Sequence, residues 1–172
     1  LIDDHPKTYE AVLARLFLSN TLIQQGKIDE AKEILGAVGD LDPTGTAYYD
    51  SMLELGKAYF DQGIFTRSNE IFKRILNAYP EYYTVNPKIL YFLGKGYVQS
   101  NRIRLARRYL YHYLNIASET DEVDVVMARI GDSYKEHGFN AEAKKIYHLV
   151  RSTFPNTTGS IVSQLRLAEY GT

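Results

Sequence analysis

A four-position pattern recurs along this chain with a nearly constant period. A small residue is followed three positions later by a large one, usually Tyr. Gly or Asn comes four positions after that, and Ala or Ser five further on. The pattern reads Ser19, Leu22, Gly26, Ala31, then Gly56, Tyr59, Gly63, Ser68. It continues with Gly94, Tyr97, Asn101, Ala106 and with Gly131, Tyr134, Gly138, Ala143. The turn residues stand at 26, 63, 101 and 138, in steps of 37, 38 and 37. A fixed period of this size marks a solenoid, in which no unit buries its apolar face alone and neighbours stack. Such arrays present extended surfaces to partners, so binding is the expected role.

A second periodic mark runs beside the first. Pro6, Pro43, Pro80 and Pro155 fall on one lattice, and Ser118 fills its missing slot. Pro6 then closes a repeat lying upstream. Together with a start at Leu1 rather than Met, this gives the expectation of a piece of a longer protein. No signal-peptide pattern is present.

Hydrophobic residues make up 45% of the 172-residue chain and charged residues 24%, which supports a folded core and argues against disorder. A net charge of −1 gives no global attraction to nucleic acid or to anionic membrane. No apolar run approaches the length of a bilayer-spanning helix. Cys is absent, which excludes disulfides, zinc–thiolate sites and Cys nucleophiles.

Between the turns the apolar residues follow a helical period. Met52, Leu55, Tyr59 and Phe60 mark one stripe, and Gly63 ends it as a left-handed C-terminal residue. Ile71, Phe72, Ile75 and Leu76 share the next face, and Pro80 stops that helix. The same logic predicts helices over 8–25, 28–38, 46–62, 66–78, 87–100, 103–117, 123–137, 140–152 and 160–170. The fold class is therefore all-α, with antiparallel helix pairs stacked side by side. Gly56, Gly94 and Gly131 sit mid-helix, where Gly costs about 1 kcal/mol relative to Ala. Close approach of the paired helix offsets that cost, with Ala31, Ala106 and Ala143 as the expected matching surface.

At these positions the chain resembles the tetratricopeptide repeat family. The segments "LGKAYFDQGIFTRSNEIFKRILNAYP" and "IGDSYKEHGFNAEAKKIYHLVRSTFP" carry its pattern: Leu-Gly, a Tyr three after the Gly, a turn Gly, Ala, an aromatic four later, and a closing Pro. Repeat 1 diverges at Ser19 and Leu22. Repeat 3 replaces the turn Gly by Asn101 and the Pro by Ser118. The resemblance implies a right-handed α-solenoid over 1–172, with a tail at 1–6, repeats near 8–43, 46–80, 87–118 and 123–155, and a terminal helix at 160–170. Ile161, Leu165 and Leu167 either cap the array or form an edge that meets another repeat. The family's usual period is about 34 residues. The longer period here, with extra residues after each Pro, resembles bacterial cell-envelope members, which implies a periplasmic or envelope setting. Cytoplasm is the alternative.

The resemblance further implies a concave groove lined by the first helix of each repeat. Its residues are then Leu16, Asn20, Ile23 and Gln24; Leu53, Lys57, Phe60 and Asp61; Tyr91, Lys95 and Gln99; and Ala128, Asp132, Lys135 and Glu136. Lys57 and Lys95 are the groups expected to meet an acid on an extended peptide. Asn20, Gln24, Lys57, Phe60, Asp61, Tyr91, Lys95, Gln99, Asp132 and Glu136 are the candidate partner-binding residues. Some family members hold a C-terminal carboxylate with a Lys and an Asn four apart in the first repeat. Leu16 stands at the Lys position before Asn20, so that clamp is not expected.

Other features have simpler readings. Arg102, Arg104, Arg107 and Arg108 cluster with Tyr109, Tyr111, His112 and Tyr113, a combination that grips nucleic acid elsewhere. One basic turn in a chain of net charge −1 favours a solvated face with Tyr109 and Tyr113 in helix packing. Tyr48, Tyr49, Tyr82 and Tyr83 are placed in the inter-repeat loops, where they either plug the gap left by the longer loops or form an interface. His5, His112, His137 and His148 lack metal-ligand spacing, and Asp3, Asp4 and His5 lie at a chain end. The acidic run 118–124 lacks the glycine of a calcium loop and suits a helix N-terminus. No catalytic, cofactor or metal site is expected. The expected function is a non-enzymatic scaffold that binds a protein or peptide segment, without nucleic acid or membrane insertion. The alternatives are an oligomerisation module working through its convex face or array ends, and a regulatory fragment of a larger enzyme.

Overall fold

The computed structural model describes residues 8–41, 45–116 and 123–171. Pro6, Pro43, Ser118, the acidic run at 118–122 and the Asp3, Asp4, His5 group lie outside the described residues. The chain divides into two compact units, Leu1–Gly96 and Tyr97–Thr172. Among the described residues there are ten helices and no strand.

The first unit holds α1 (Tyr9–Gln24), α2 (Ile28–Leu41), α3 (Thr46–Asp61), α4 (Phe65–Ala78), a single turn α5 (Tyr82–Val85), and α6 (Lys88–Gln99) up to Gly96. Helix α1 packs on α2, and α3 packs on α4, α1 and α2. Leu35, Leu53, Leu55, Phe72, Ile75 and Leu93 form its buried centre. The second unit holds the end of α6, then α7 (Ile103–Ile116), α8 (Val123–Glu136), α9 (Asn140–Thr153) and α10 (Thr158–Ala168). There α8 packs on α7, α9 and α10, and α9 packs on α10. Leu110, Tyr113, Ile130, Tyr147, Val150 and Leu167 are its buried centre.

The recurring turn has one geometry in all four copies. Gly26, Gly63 and Gly138 have φ of 76°, 75° and 77°, and Asn101 has 55°. The amide of the residue after each turn donates to the carbonyl of the pattern's large residue: Lys27 to Leu22 and Ile64 to Tyr59 at 2.9 Å, Arg102 to Tyr97 at 2.8 Å, Phe139 to Tyr134 at 3.0 Å. Each turn residue also donates to the carbonyl three before it. These paired bonds close the orphan carbonyls of the first helix in a left-handed C-terminal motif. Pro80 and Pro155 follow the ends of α4 and α9, whose last carbonyls are capped by the Tyr79 and Phe154 amides.

Gly56 and Gly131, in the middle of α3 and α8, make room for rings. A methyl group on Gly131 would lie 2.5 Å from Cε1 of Tyr147, and one on Gly56 would lie 2.9 Å from Cδ1 of Phe72. At these two glycines the approach is close, but its partner is the aromatic four residues beyond Ser68 or Ala143, not the small residue itself. Ala31, Ser68, Ala106 and Ala143 are all fully buried.

Two local expectations change. Helix α2 was expected to end at 38 and continues to Leu41 through Gly36 and Gly39. Tyr48 and Tyr49, assigned to an inter-repeat loop although the helix expected over 46–62 contains them, lie inside α3 and are buried, while Tyr82 in α5 is 0% exposed. Tyr49 meets Tyr48, Tyr79 and Tyr82 with centroids 5.5, 5.7 and 6.2 Å apart. The Tyr82 hydroxyl donates to Asp50 at 2.5 Å. These rings plug the space after Pro80, which explains why the extra residues there form an ordered turn of helix. The terminal helix α10 buries Leu167, while Ile161 and Leu165 remain 54% and 62% exposed.

Candidate functional site

Helical spacing brings four candidate residues into one cluster in the first unit. On α3, Lys57 and Phe60 are three apart, and on α6, Tyr91 and Lys95 are four apart, so each pair shares a face. The Lys95 ammonium lies 4.9 Å from the Tyr91 ring centroid and 5.2 Å from that of Phe60. Lys57 lies 5.9 Å from the ring of Phe92 and pairs with Glu54 at 2.7 Å. Phe60 meets Phe92 and Phe65 edge-on at 5.4 and 5.1 Å. Each cation–ring contact at a half-exposed site contributes about 0.5–1 kcal/mol, enough to hold the ammonium groups in place without desolvating them. Two positive groups are thus set on an aromatic floor. Phe92 belongs to this floor and was not singled out in the sequence, although its neighbour Tyr91 was.

The remaining candidates are placed differently. Leu16, Leu53 and Ala128 are 5%, 2% and 2% exposed, so they are packing residues rather than groove-lining ones. Asn20 is half-buried, and its side-chain oxygen is buried without a hydrogen-bond partner. Gln24 and Asp61 are exposed on α1 and at the end of α3. In the second unit, Gln99 and Glu136 are exposed.

Asp132 is engaged inside the second unit. Its Oδ1 accepts the Tyr147 hydroxyl at 2.9 Å and Nε of Arg166 at 2.8 Å. Arg166 also donates to Glu169 at 3.0 Å, and Glu169 pairs with Lys135. Burial, then the bond to Asp132, push the Tyr147 phenol well above its ordinary value. The same carboxylate raises Arg166, while Lys135 and Arg166 hold Glu169 below the usual carboxylate range. Asp132 and Lys135 therefore tie α10 to α8 and do not stand as free groove charges.

The rings of the basic stretch are taken up in packing, while Arg102, Arg104 and Arg108 stay exposed. Tyr109 stacks on Tyr97 with centroids 5.6 Å apart and planes within 15°, and Tyr113 is fully buried. Arg107 lies 4.2 Å from the Tyr134 ring. Burial and the neighbouring Tyr134 push the Tyr111 phenol up to about 12. Among the described residues no group of three or more His, Asp or Glu is placed to hold a metal ion. No described helix is long and apolar enough to cross a membrane.

Residues 50–82 match the tetratricopeptide repeat family. No curated protein matches the chain. Solved structures do. One is YrrB, a tetratricopeptide-repeat protein described as having an unusual peptide-binding site, at 17% identity and TM-score 0.70, over 99% of this chain and 81% of that one. MamA is similar at 17% identity and TM-score 0.72, over 95% of this chain and 90% of that one. A putative kinesin light chain of Podosopora anserina with nearly identical TPR-like repeats is similar at 19% identity and TM-score 0.64, over 92% and 84%. At these identities the likeness is one of fold. The chain has the helical-repeat fold of the tetratricopeptide-repeat proteins, and its residues 50–82 match the repeat itself.

Proposed function

We propose that this chain is a non-enzymatic scaffold that captures a protein segment on the α3–α6 face of its first unit. The observation that carries this is the seating of Lys57 and Lys95 on Phe60, Tyr91 and Phe92. Ammonium groups held over the half-buried rings of Phe60 and Phe92 and the buried ring of Tyr91 offer both charge and apolar area to an extended segment carrying Asp or Glu. The fold shared with YrrB, which is described as binding peptide, supports the same reading. Affinity capture on immobilised protein tests it, with wild type run beside a Lys57→Glu, Lys95→Glu variant whose fold is checked by circular dichroism. A partner held by wild type and lost by the folded variant supports the assignment. A partner held equally by both moves the binding surface elsewhere.

A second reading is association between copies through exposed apolar helices. On α1, Tyr9 and Phe17 are 69% and 76% exposed, eight residues apart on one stripe with Leu13. Sedimentation velocity over a range of micromolar concentrations decides it: a monomer throughout rejects this role. The resemblance of the 37–38-residue period to that of bacterial cell-envelope repeat proteins supports a cell-envelope setting. Cell fractionation that recovers the protein only from cytoplasm would exclude that setting.

A further inference from the structure

A cleft of about 260 Å³ opens in the first unit between α2 and α4, with α3 as its floor. Met52 and Leu55 make that floor apolar, and Leu35 of α2 closes it from the side. Lys32, Arg67 and Arg74 stand exposed on the rim against a single acid, Glu70. A smaller recess continues it along Tyr48 and Arg74 to Gly39 and Ala78. From Lys32 to Gly39 the cleft follows α2 for about 10 Å at 1.5 Å per residue. That length suits about three residues of extended chain. The α3 residues used here, Met52, Leu55 and Tyr59, are not those of the lysine–aromatic cluster.

The cleft exists because α2 carries glycine where the other second helices carry side chains. Ten positions after the turn residue stands Gly36, against Lys73, Tyr111 and His148 in the other repeats. Thirteen positions after it stands Gly39, against Leu76, Leu114 and Arg151. Gly is disfavoured in a helix interior, so each needs a reason. Gly39 has one: a methyl group there would meet the Tyr48 hydroxyl at 2.6 Å. Gly36 has no such reason, since it lies within a helix with nothing within 4 Å of a methyl group placed on it. Packing and backbone conformation would both accept a larger residue at 36, and that residue would stand at the mouth of the cleft. The Tyr59 hydroxyl, in the cleft lining, is also buried without a hydrogen-bond partner in the fold.

We infer that this cleft is a second binding site, for a short acidic peptide segment that inserts one bulky apolar side chain between flanking carboxylates. The apolar floor takes the side chain, and Lys32, Arg67 and Arg74 take the carboxylates. Gly36 keeps the entrance open. The site is independent of the α3–α6 face and stands or falls apart from it.

The test uses a fluorescein-labelled peptide, Asp-Glu-Trp-Asp-Glu, with Ser-for-Trp and Lys-for-acid versions as controls, read by fluorescence anisotropy. Wild type binds the parent peptide and neither control. Gly36→Leu loses at least about tenfold in affinity, as expected when a cleft of this size is filled, yet melts at or above the wild-type temperature. Arg67→Glu with Arg74→Glu also abolishes binding and decides the matter if Gly36→Leu does not fold. Lys57→Glu with Lys95→Glu leaves it unchanged. The inference is overturned if wild type does not bind the parent peptide, if the controls bind equally, or if the charge reversal leaves affinity intact. Binding lost only in the Lys57, Lys95 variant would place the peptide on the other face. Displacement of the peptide by dodecanoate at lower concentration would make the occupant an amphiphile instead.

Discussion

The Asp124 carboxylate accepts the Gly159 amide at 2.7 Å across 35 residues of sequence, joining the first turn of α8 to the first turn of α10. A methyl group on Gly159 would be driven into the Asp124 backbone, so glycine is what allows the two helix starts to meet. A carboxylate at a helix N-terminus satisfies an orphan amide and opposes the positive end of the helix dipole.

The Asp124 bond makes stability depend on acid. Burial raises the Asp124 carboxyl, but the Gly159 bond and others around it outweigh burial and hold it below its ordinary 3.8. A depressed carboxyl stabilises the fold fully above the unfolded value and loses that contribution as pH falls through the folded one. Asp124→Asn is expected to lower stability by about 2 kcal/mol at neutral pH, the scale of a charge-assisted hydrogen bond. It should also flatten the loss below about pH 4. Urea unfolding of both proteins at neutral and acid pH measures this. An equal difference at both pH values would mean that the charge plays no part.

Glycines at two kinds of site should fail for different reasons. Gly56→Ala forces a methyl group into the Phe72 ring, an overpacking cost of about 1–3 kcal/mol. Gly63→Ala has open space around it but a φ of 75°, a strain of about 1–2 kcal/mol. Adding Phe72→Leu separates them in a double-mutant cycle by thermal unfolding. It should relieve part of the Gly56→Ala loss and simply add to that of Gly63→Ala. A strictly additive result at both sites would remove the ring as the reason for Gly56. Gly131→Leu, set against Tyr147, should behave as Gly56→Ala does and cost more.

The fold was legible where one local requirement recurs. Gly26, Gly63, Asn101 and Gly138 announce a left-handed backbone, and Leu22, Tyr59, Tyr97 and Tyr134 supply the carbonyl that closes it. Helix α5 was not legible, because four residues carry no period and its order comes from Tyr82 reaching Asp50, 32 residues away. Gly39 read as a helix end because propensity is a weak prior, which packing against Tyr48 overrode. In the candidate site, the resemblance to the repeat family pointed to Lys57, Phe60, Tyr91 and Lys95, which the structure brings together. The resemblance could not show that Asp132 is bound by Arg166, 34 residues on, since ion pairs between helices leave no local mark.

Buried phenols that donate to carboxylates give the last prediction. Tyr82 and Tyr147 are both fully buried, and they donate to Asp50 at 2.5 Å and to Asp132 at 2.9 Å. Burial first, then the acidic partner, raise both phenols well above their ordinary 10.0. Their contribution is whole below that value and is lost as pH rises beyond it, because the unfolded chain releases protons that the folded one keeps. Both should therefore stay protonated in the folded protein at about pH 11, seen as missing tyrosinate absorbance in an alkaline titration. Tyr82→Phe keeps the ring and removes the hydroxyl from an exposed Asp50 that water can still reach, so it should cost about 1 kcal/mol at neutral pH. Tyr82→Ala also empties the ring's place among Tyr49 and Tyr79 and should cost about 3–5 kcal/mol. The double Phe variant should hold its urea midpoint further into alkali than wild type does. A wild-type midpoint that does not fall between about pH 9 and pH 11 would show that these phenols ionise alike in both states.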